Sequence, residues 1–176
     1  MREGQAVPEA LPSNADPSAQ SPAGTVQGIY VANRRKRAVE ERESVRAFAR
    51  RGLEGDRYLL PEGAPPRTDG ADITLIEAEA LEDLARLAGI ILSAGEHRRN
   101  LVTRGVALDQ LAGQHFAIGA VQCLGVSICE PCWELEKMSR SGVLRGLVHR
   151  GGLRASILTG GRLTRGDSIE ILSSQS

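Results

Sequence analysis

Hydrophobic positions recur along this chain mostly with a period of two. They fall in short runs separated by glycine, proline and charged residues, the pattern of half-buried strands. Val26, Ile29 and Val31 predict a first strand, and residues 44–48 a second. Further strands are expected at 73–76, 101–103, within 113–119, and at 121–128, 153–158 and 168–172. In the run 121–128, Leu124, Val126 and Ile128 share one face, with Cys123 and Ser127 on the other. The helical period of 3.6 shows over 77–88, where Ala80, Leu81, Leu84, Leu87 and Ala88 line one side and Gly89 supplies a stop. One helical turn is expected at 108–111, with short helices after Pro131 and over 142–149. Residues 51–58 and 159–161 read as turns, and 61–71 as a Pro/Gly-rich surface loop. Many short strands, few short helices and no repeating βαβ alternation predict a mostly β fold. The expected architecture is a barrel or strongly curved sheet with a few short peripheral helices.

Residues 1–24 are rich in Pro, Ala, Ser and Gln without hydrophobic period, and are expected to be a disordered leader. That leaves 25–173 as one folded domain. With 22 basic and 22 acidic residues the chain carries no net field to gather nucleic acid or a membrane surface. Aromatics at 3% leave little for base stacking. No apolar run is long enough for a membrane span, and no signal-peptide core is present. Three cysteines, an odd count without an export signal, point to a reducing cytoplasm. Lys36 and Lys137 are the only lysines, so nearly all positive charge is arginine, the side chain whose fork suits phosphate and carboxylate.

The sharpest chemistry lies in residues 121–135, a strand running into a helix. Pro131 suits a first helical turn. Cys132 then sits just inside the helix start, where unpaired N–H groups and the dipole favour a thiolate. Leu135 and Met138 form the expected buried stripe. Cys123 and Cys129 read equally well as small buried hydrophobes. Cys129-x-x-Cys132 has half the spacing of a zinc site, but no second pair completes it; a thioredoxin-like pair would need a βαβ setting that is missing here. Two basic motifs stand out. In Gly52-Leu53-Glu54-Gly55-Asp56-Arg57-Tyr58, either Asp56 caps a tight turn or the loop aims Arg57 at an anion. Arg98-Arg99-Asn100 is either a phosphate- or pterin-binding element or a solvated edge.

Taken in order, these motifs resemble the MOSC domain family, named for the C-terminal domain of molybdenum cofactor sulfurase. The likeness is to its small stand-alone bacterial type. It runs from about Thr25 to Leu172 through Gly52–Tyr58, Ile73-Thr74-Leu75-Ile76-Glu77, Arg98-Arg99-Asn100-Leu101-Val102, Leu111-Ala112-Gly113, Phe116-Ala117-Ile118-Gly119, Glu130-Pro131-Cys132, Gly151-Gly152-Leu153-Arg154-Ala155 and 161–167. The resemblance implies a barrel-like MOSC domain. It implies molybdenum cofactor (molybdopterin) binding with Cys132 as the molybdenum ligand, and Arg57 and Arg98 or Arg99, supported by Asn100, at the pterin phosphate. Such relatives, the mitochondrial amidoxime reducing component among them, reduce N-hydroxylated compounds. Other members have been proposed as sulfur carriers, which would put a persulfide on Cys132 and a sulfur donor or acceptor opposite it. A non-catalytic interaction domain is the third reading. The sequence departs from the larger relatives in showing no additional N-terminal β-barrel domain and in having Pro131 where they have arginine. It also has no ferredoxin or flavin module. Reduction of a small-molecule substrate would therefore draw on an external electron-donor protein.

Overall fold

The computed structural model describes residues 23–34, 39–67 and 69–172. Residues 1–22 of the expected leader, Arg35-Lys36-Arg37 and Ser173 lie outside the described residues. Within them the chain forms β1 (Gly24–Val31), β2 (Glu40–Arg42), β3 (Ser44–Phe48), β4 (Gly52–Leu53), β5 (Ile73–Glu77), α1 (Ala78–Ala88), β6 (Leu101–Arg104), a 3-10 turn (Leu108–Leu111), β7 (His115–Ile118) and β8 (Val121–Ile128). There follow α2 (Trp133–Met138), α3 (Val143–Gly146), β9 (Leu153–Ile157), β10 (Gly161–Thr164) and β11 (Ser168–Ile171).

Seven strands close into a barrel in the order β11-β7-β8-β9-β5-β6-β1, and β1 returns to β11 through Gly24–Ile169 and Thr25–Ser168. Closure removes free sheet edges. β2 extends the wall outward from β1. A small second sheet, β10-β3-β4, sends Val45, Ala47, Leu53 and Leu163 into the barrel core. Reading 51–58 and 159–161 purely as turns missed β4 and β10. Both strands are short and glycine-led, and what stabilises them is their pairing with β3, which is not visible in a local window.

The barrel interior is filled by side chains such as Ile29, Leu75, Leu101, Phe116, Ile118, Leu153 and Ile157, all with no exposed surface. Burying each contributes about 1.5–3 kcal/mol. Two bulges set which residues face inward. In β1 the register shifts between Val26 and Gly28, which is how Val26 and Ile29, three apart, both point inside. In β8 the shift lies between Gly125 and Ser127. Val121, Cys123 and Gly125 therefore face the core, and Ile128 packs against it after the bulge. The alternation of Leu124, Val126 and Ile128 on a single face does not hold, and Val126 is 38% exposed. Gly125 is needed because the Leu111 carbonyl occupies the place of a side chain there.

The helices lie outside the barrel. α1 connects the parallel pair β5 and β6. It ends at Gly89 in the left-handed conformation (φ 66°), whose N–H reaches Ala85 O, while Ile90 N–H reaches Leu84 O. A second apolar cluster, including Ile76, Leu84, Val102, Leu135, Val143 and Leu147, holds α1, α2 and α3 against the outer face of β5 and β6. Leu135 thus pins α2, and with it the segment that carries Cys132. Among the described residues no helix is long and apolar enough to cross a membrane.

Candidate functional site

Strand β8 ends at Ile128, and the next four residues are fixed from outside before α2 begins. Cys129 N–H donates to Gly152 O at 2.7 Å. Arg99 donates from Nε to Gly151 O at 2.8 Å and from Nη2 to Cys129 O at 3.2 Å. Glu130 accepts from His149 N–H at 2.9 Å, and its other oxygen lies 3.0 Å from His149 Nδ1. Gly151 approaches so closely that a side chain there would meet the Cys129 carbonyl and the Pro131 ring. Cys132 emerges exposed and in extended conformation (φ −126°, ψ 163°).

Cys132 is the N-cap of α2, one residue outside the helix rather than inside its first turn, and Pro131 precedes the cap. Its carbonyl accepts from Glu136 N–H at 3.2 Å. A helix of six residues carries little dipole. The charge next to the sulfur is instead the guanidinium of Arg99, which interacts electrostatically with both Cys129 and Cys132. The other two cysteines are core residues. Cys123 has no exposed surface, and burial pushes its thiol up to about 12. Cys129 is 4% exposed.

Cys132 borders a pocket of about 260 Å³ whose walls also include Arg57, Arg98, Arg99, Asn100 and Arg154. The five residues singled out in the sequence are therefore brought together from three distant segments. They do different things. Arg57 follows Asp56, which is 9% exposed and ties the turn down. Asp56 accepts from Ala32 N–H at 3.2 Å, from Tyr58 N–H at 3.0 Å and from Asn100 Nδ2 at 3.2 Å. The first reading of this turn holds, because Asp56 caps it, and Arg57 lines the pocket. The Arg57 guanidinium lies 4.4 Å from the centre of the Tyr58 ring, and its buried Nε has no hydrogen-bond partner among the described residues.

Arg98 adopts φ 60°, a left-handed backbone that arginine rarely takes. The reversal separates it from Arg99. Arg98 faces Arg57, Tyr58 and Asp56, and burial together with the Arg57 charge lowers its pKa. Arg99, 8% exposed, turns to the cysteine loop, and its pKa too is lowered, first by burial. His97 supports the same bend. Its Nδ1 accepts from Arg99 N–H at 3.1 Å, and burial with the neighbouring Arg99 and Arg98 charges brings its pKa down to about 4.

Asn100 does not offer its amide to the pocket. Oδ1 accepts from Thr74 N–H at 3.1 Å and from Thr74 Oγ1 at 3.0 Å, and Nδ2 donates to Tyr30 O and Asp56 Oδ2, both at 3.2 Å. All its capacity joins β5, β1 and the Asp56 turn, so it positions Arg57 from behind. Sequence reasoning gave no role to Arg154, Tyr58 or the Arg67–Asp69 pair, which also line the pocket. Arg154 carried the one available signal, an arginine between buried strand residues directly after Gly151-Gly152.

No group of three or more His, Cys, Asp and Glu side chains among the described residues is arranged to hold a metal. A metal taken here would need most of its ligands from another source. One soft sulfur ligand beside a guanidinium cluster, with an orphaned donor on Arg57, fits a metal delivered in an anionic organic cofactor.

Comparison with known proteins agrees with this architecture. The YuaD protein from Bacillus subtilis superposes with a TM-score of 0.71 at 16% identity, covering 86% of this chain and 97% of that one. A solved hypothetical protein gives 0.65 at 19% identity over 87% and 70% of the two chains, and YiiM from Escherichia coli 0.61 at 16% over 86% and 71%. Among curated proteins no sequence matches. The family model described as MOSC domain matches residues 66–170. With that match over more than half its length, on a closed barrel shared with these structures, the chain belongs to the MOSC domain family.

Proposed function

We propose that this MOSC protein binds the molybdenum cofactor with Cys132 as the metal's protein ligand, and reduces N-hydroxylated or related N–O substrates with electrons from an external donor protein. The observation that carries the reading is the convergence of Arg57, Arg98 and Arg99 with Cys132 on one pocket, from segments far apart in sequence. When bound, the cofactor supplies two-electron chemistry that no side chain of this chain provides. The chain's own contribution is binding and orientation. Arg57 and Arg98, next to each other beside Tyr58, suit a terminal phosphate. Asp56 and Asn100 hold that end rigid. Arg99 fixes the Cys129 carbonyl and so the direction of the loop that presents the Cys132 sulfur. Three free cysteines fit a cytoplasmic setting.

One observation favours a second reading. The exposure of Cys132 suits a persulfide passed between a sulfur donor and an acceptor. A single comparison separates the two. Protein from a cofactor-competent host is assayed for molybdenum, pterin and cyanide-labile sulfur, as wild type and as Cys132→Ser. The proposal expects molybdenum and pterin in the wild type, and pterin partly retained without the native metal spectrum in the variant. Cyanide-labile sulfur with no molybdenum replaces it with the carrier. Neither, with unchanged behaviour of Cys132→Ser, leaves an interaction domain.

A further inference from the structure

The pocket's positive charge is divided into two pairs. Arg57 and Arg98 neighbour each other at the Tyr58 end. Arg99 and Arg154 neighbour each other at the Cys132 end, where Arg99 also senses Cys129 and Cys132. The second pair is anchored on consecutive carbonyls of the segment leading to the cysteine. Arg154 Nη1 donates to Ile128 O at 3.2 Å and Arg99 Nη2 to Cys129 O at 3.2 Å, with Arg99 Nε on Gly151 O at 2.8 Å. The salt bridges nearby join Arg67 to Asp69 and Arg150 to Glu77 rather than either of this pair.

Three carboxylates, Asp69, Asp72 and Glu134, line the same pocket, and the first two are committed elsewhere. Asp69 is bound two-point by Arg67, which holds it down at about 2. Asp72 accepts from Ile157 N–H at 2.9 Å. Two like charges, one of them 8% exposed, are thus held side by side, and neither Asp69 nor Asp72 is turned to them. A guanidinium has five N–H groups. Arg99 uses two of its groups on carbonyls, and Arg154 one. The remaining donors belong to side chains that line the pocket beside the sulfur.

We infer that Arg99 and Arg154 form a second anion subsite beside Cys132, distinct from the Arg57–Arg98 end, which takes a carboxylate or oxyanion carried by the substrate. The word substrate rests on the function proposed above, whereas the subsite itself does not. A neutral substrate brings this pair no charge of opposite sign, so selection favours anionic N-oxygenated compounds over neutral ones of the same size.

The test uses the full chain expressed without cofactor, with modification of Cys132 followed by peptide mass. Two alkylating probes of similar size are compared, anionic iodoacetate and neutral iodoacetamide. In both, the sulfur forms a bond to the methylene carbon and iodide leaves, so only the probe's charge differs. Wild type should favour iodoacetate relative to a free thiol, and millimolar inorganic sulfate should abolish that preference. Arg154→Gln, which keeps a donor for Ile128 O, should lower the iodoacetate-to-iodoacetamide rate ratio by about fivefold, the effect of one nearby and partly screened charge. Arg154→Lys should restore much of it. Arg145→Gln, the same charge change on exposed α3, controls for net charge and should leave the ratio alone. An Arg154→Gln ratio equal to wild type, in a variant with wild-type circular dichroism, overturns the subsite. So does an equal fall in Arg145→Gln. Molybdenum content plays no part in these readings, so failure of the subsite and failure of the cofactor reading are separable.

Discussion

Asn100→Asp changes one atom type at the junction behind Arg57. The two bonds accepted from Thr74 survive, because a carboxylate oxygen accepts equally well. The two donated bonds, to Tyr30 O and Asp56 Oδ2, are lost. Each contributes about 0.5–1.5 kcal/mol. The new carboxylate also lies against that of Asp56, at the present 3.2 Å contact, where Asp56 is only 9% exposed. Unrelieved repulsion at that distance is about 5 kcal/mol for an effective dielectric constant near 20. Protonating one carboxyl is the cheaper escape. From an ordinary pKa near 4 it costs about 4 kcal/mol at pH 7 and about 1.5 kcal/mol at pH 5. The net loss is therefore expected at about 4 kcal/mol or more at pH 7, shrinking by about 2.5 kcal/mol at pH 5. The sign follows from linkage: the folded variant holds its shared proton more tightly than the unfolded chain, so falling pH restores stability relative to wild type. Urea unfolding of both proteins at the two pH values measures this. A loss below about 1 kcal/mol at both would refute the junction as a determinant of the fold. A large loss that is equal at both would remove Asp56 from the reasoning.

Two further outcomes follow from the same region. His97 is neutral in the fold down to about pH 4, whereas the unfolded chain takes up its proton near 6.5. Stability should therefore fall as pH drops through that window, by about 3 kcal/mol in all, with His97→Gln showing a flatter urea midpoint against pH; equal slopes would exclude the histidine. Gly151→Ala would set a methyl group against the Cys129 carbonyl and 2.7 Å from Pro131 N. It should cost about 1–3 kcal/mol in thermal or urea unfolding, and a wild-type midpoint would mean that the loop before Cys132 yields without strain.

The strands with their own alternation were legible in the sequence. Residues 44–48 and the 73–76 run became β3 and β5 to within a residue, and Gly89 ended α1 as read. What escaped depended on partners remote in the chain. β4 and β10 exist through β3. The inward face of β8 is set by a bulge and by the Leu111 backbone resting on Gly125, and neither leaves a mark in a period-two count. The placing of Cys132 shows the same limit. Proline in a first helical turn is a sound expectation, yet the loop is clamped by Arg99, His149 and Gly151 before the helix starts, and this moves the cysteine onto the cap.

Arg98-Arg99-Asn100 makes the point most sharply. As a string it is a basic motif with one expected task, anion binding. The left-handed turn at Arg98 points its side chain to the Tyr58 end and that of Arg99 to the cysteine loop, and Asn100 enters β6's neighbourhood already engaged on Thr74, Tyr30 and Asp56. Three consecutive residues thus set the Tyr58 end of the pocket, its Cys132 end and the rigid link between them. The strain of a non-glycine residue at φ 60° is of order 1–3 kcal/mol. Glycine at this position would relieve that strain but remove the guanidinium. With the turn at Arg98, a pocket of about 260 Å³ presents positive charge at two separate places, the Tyr58 end and the Cys132 end.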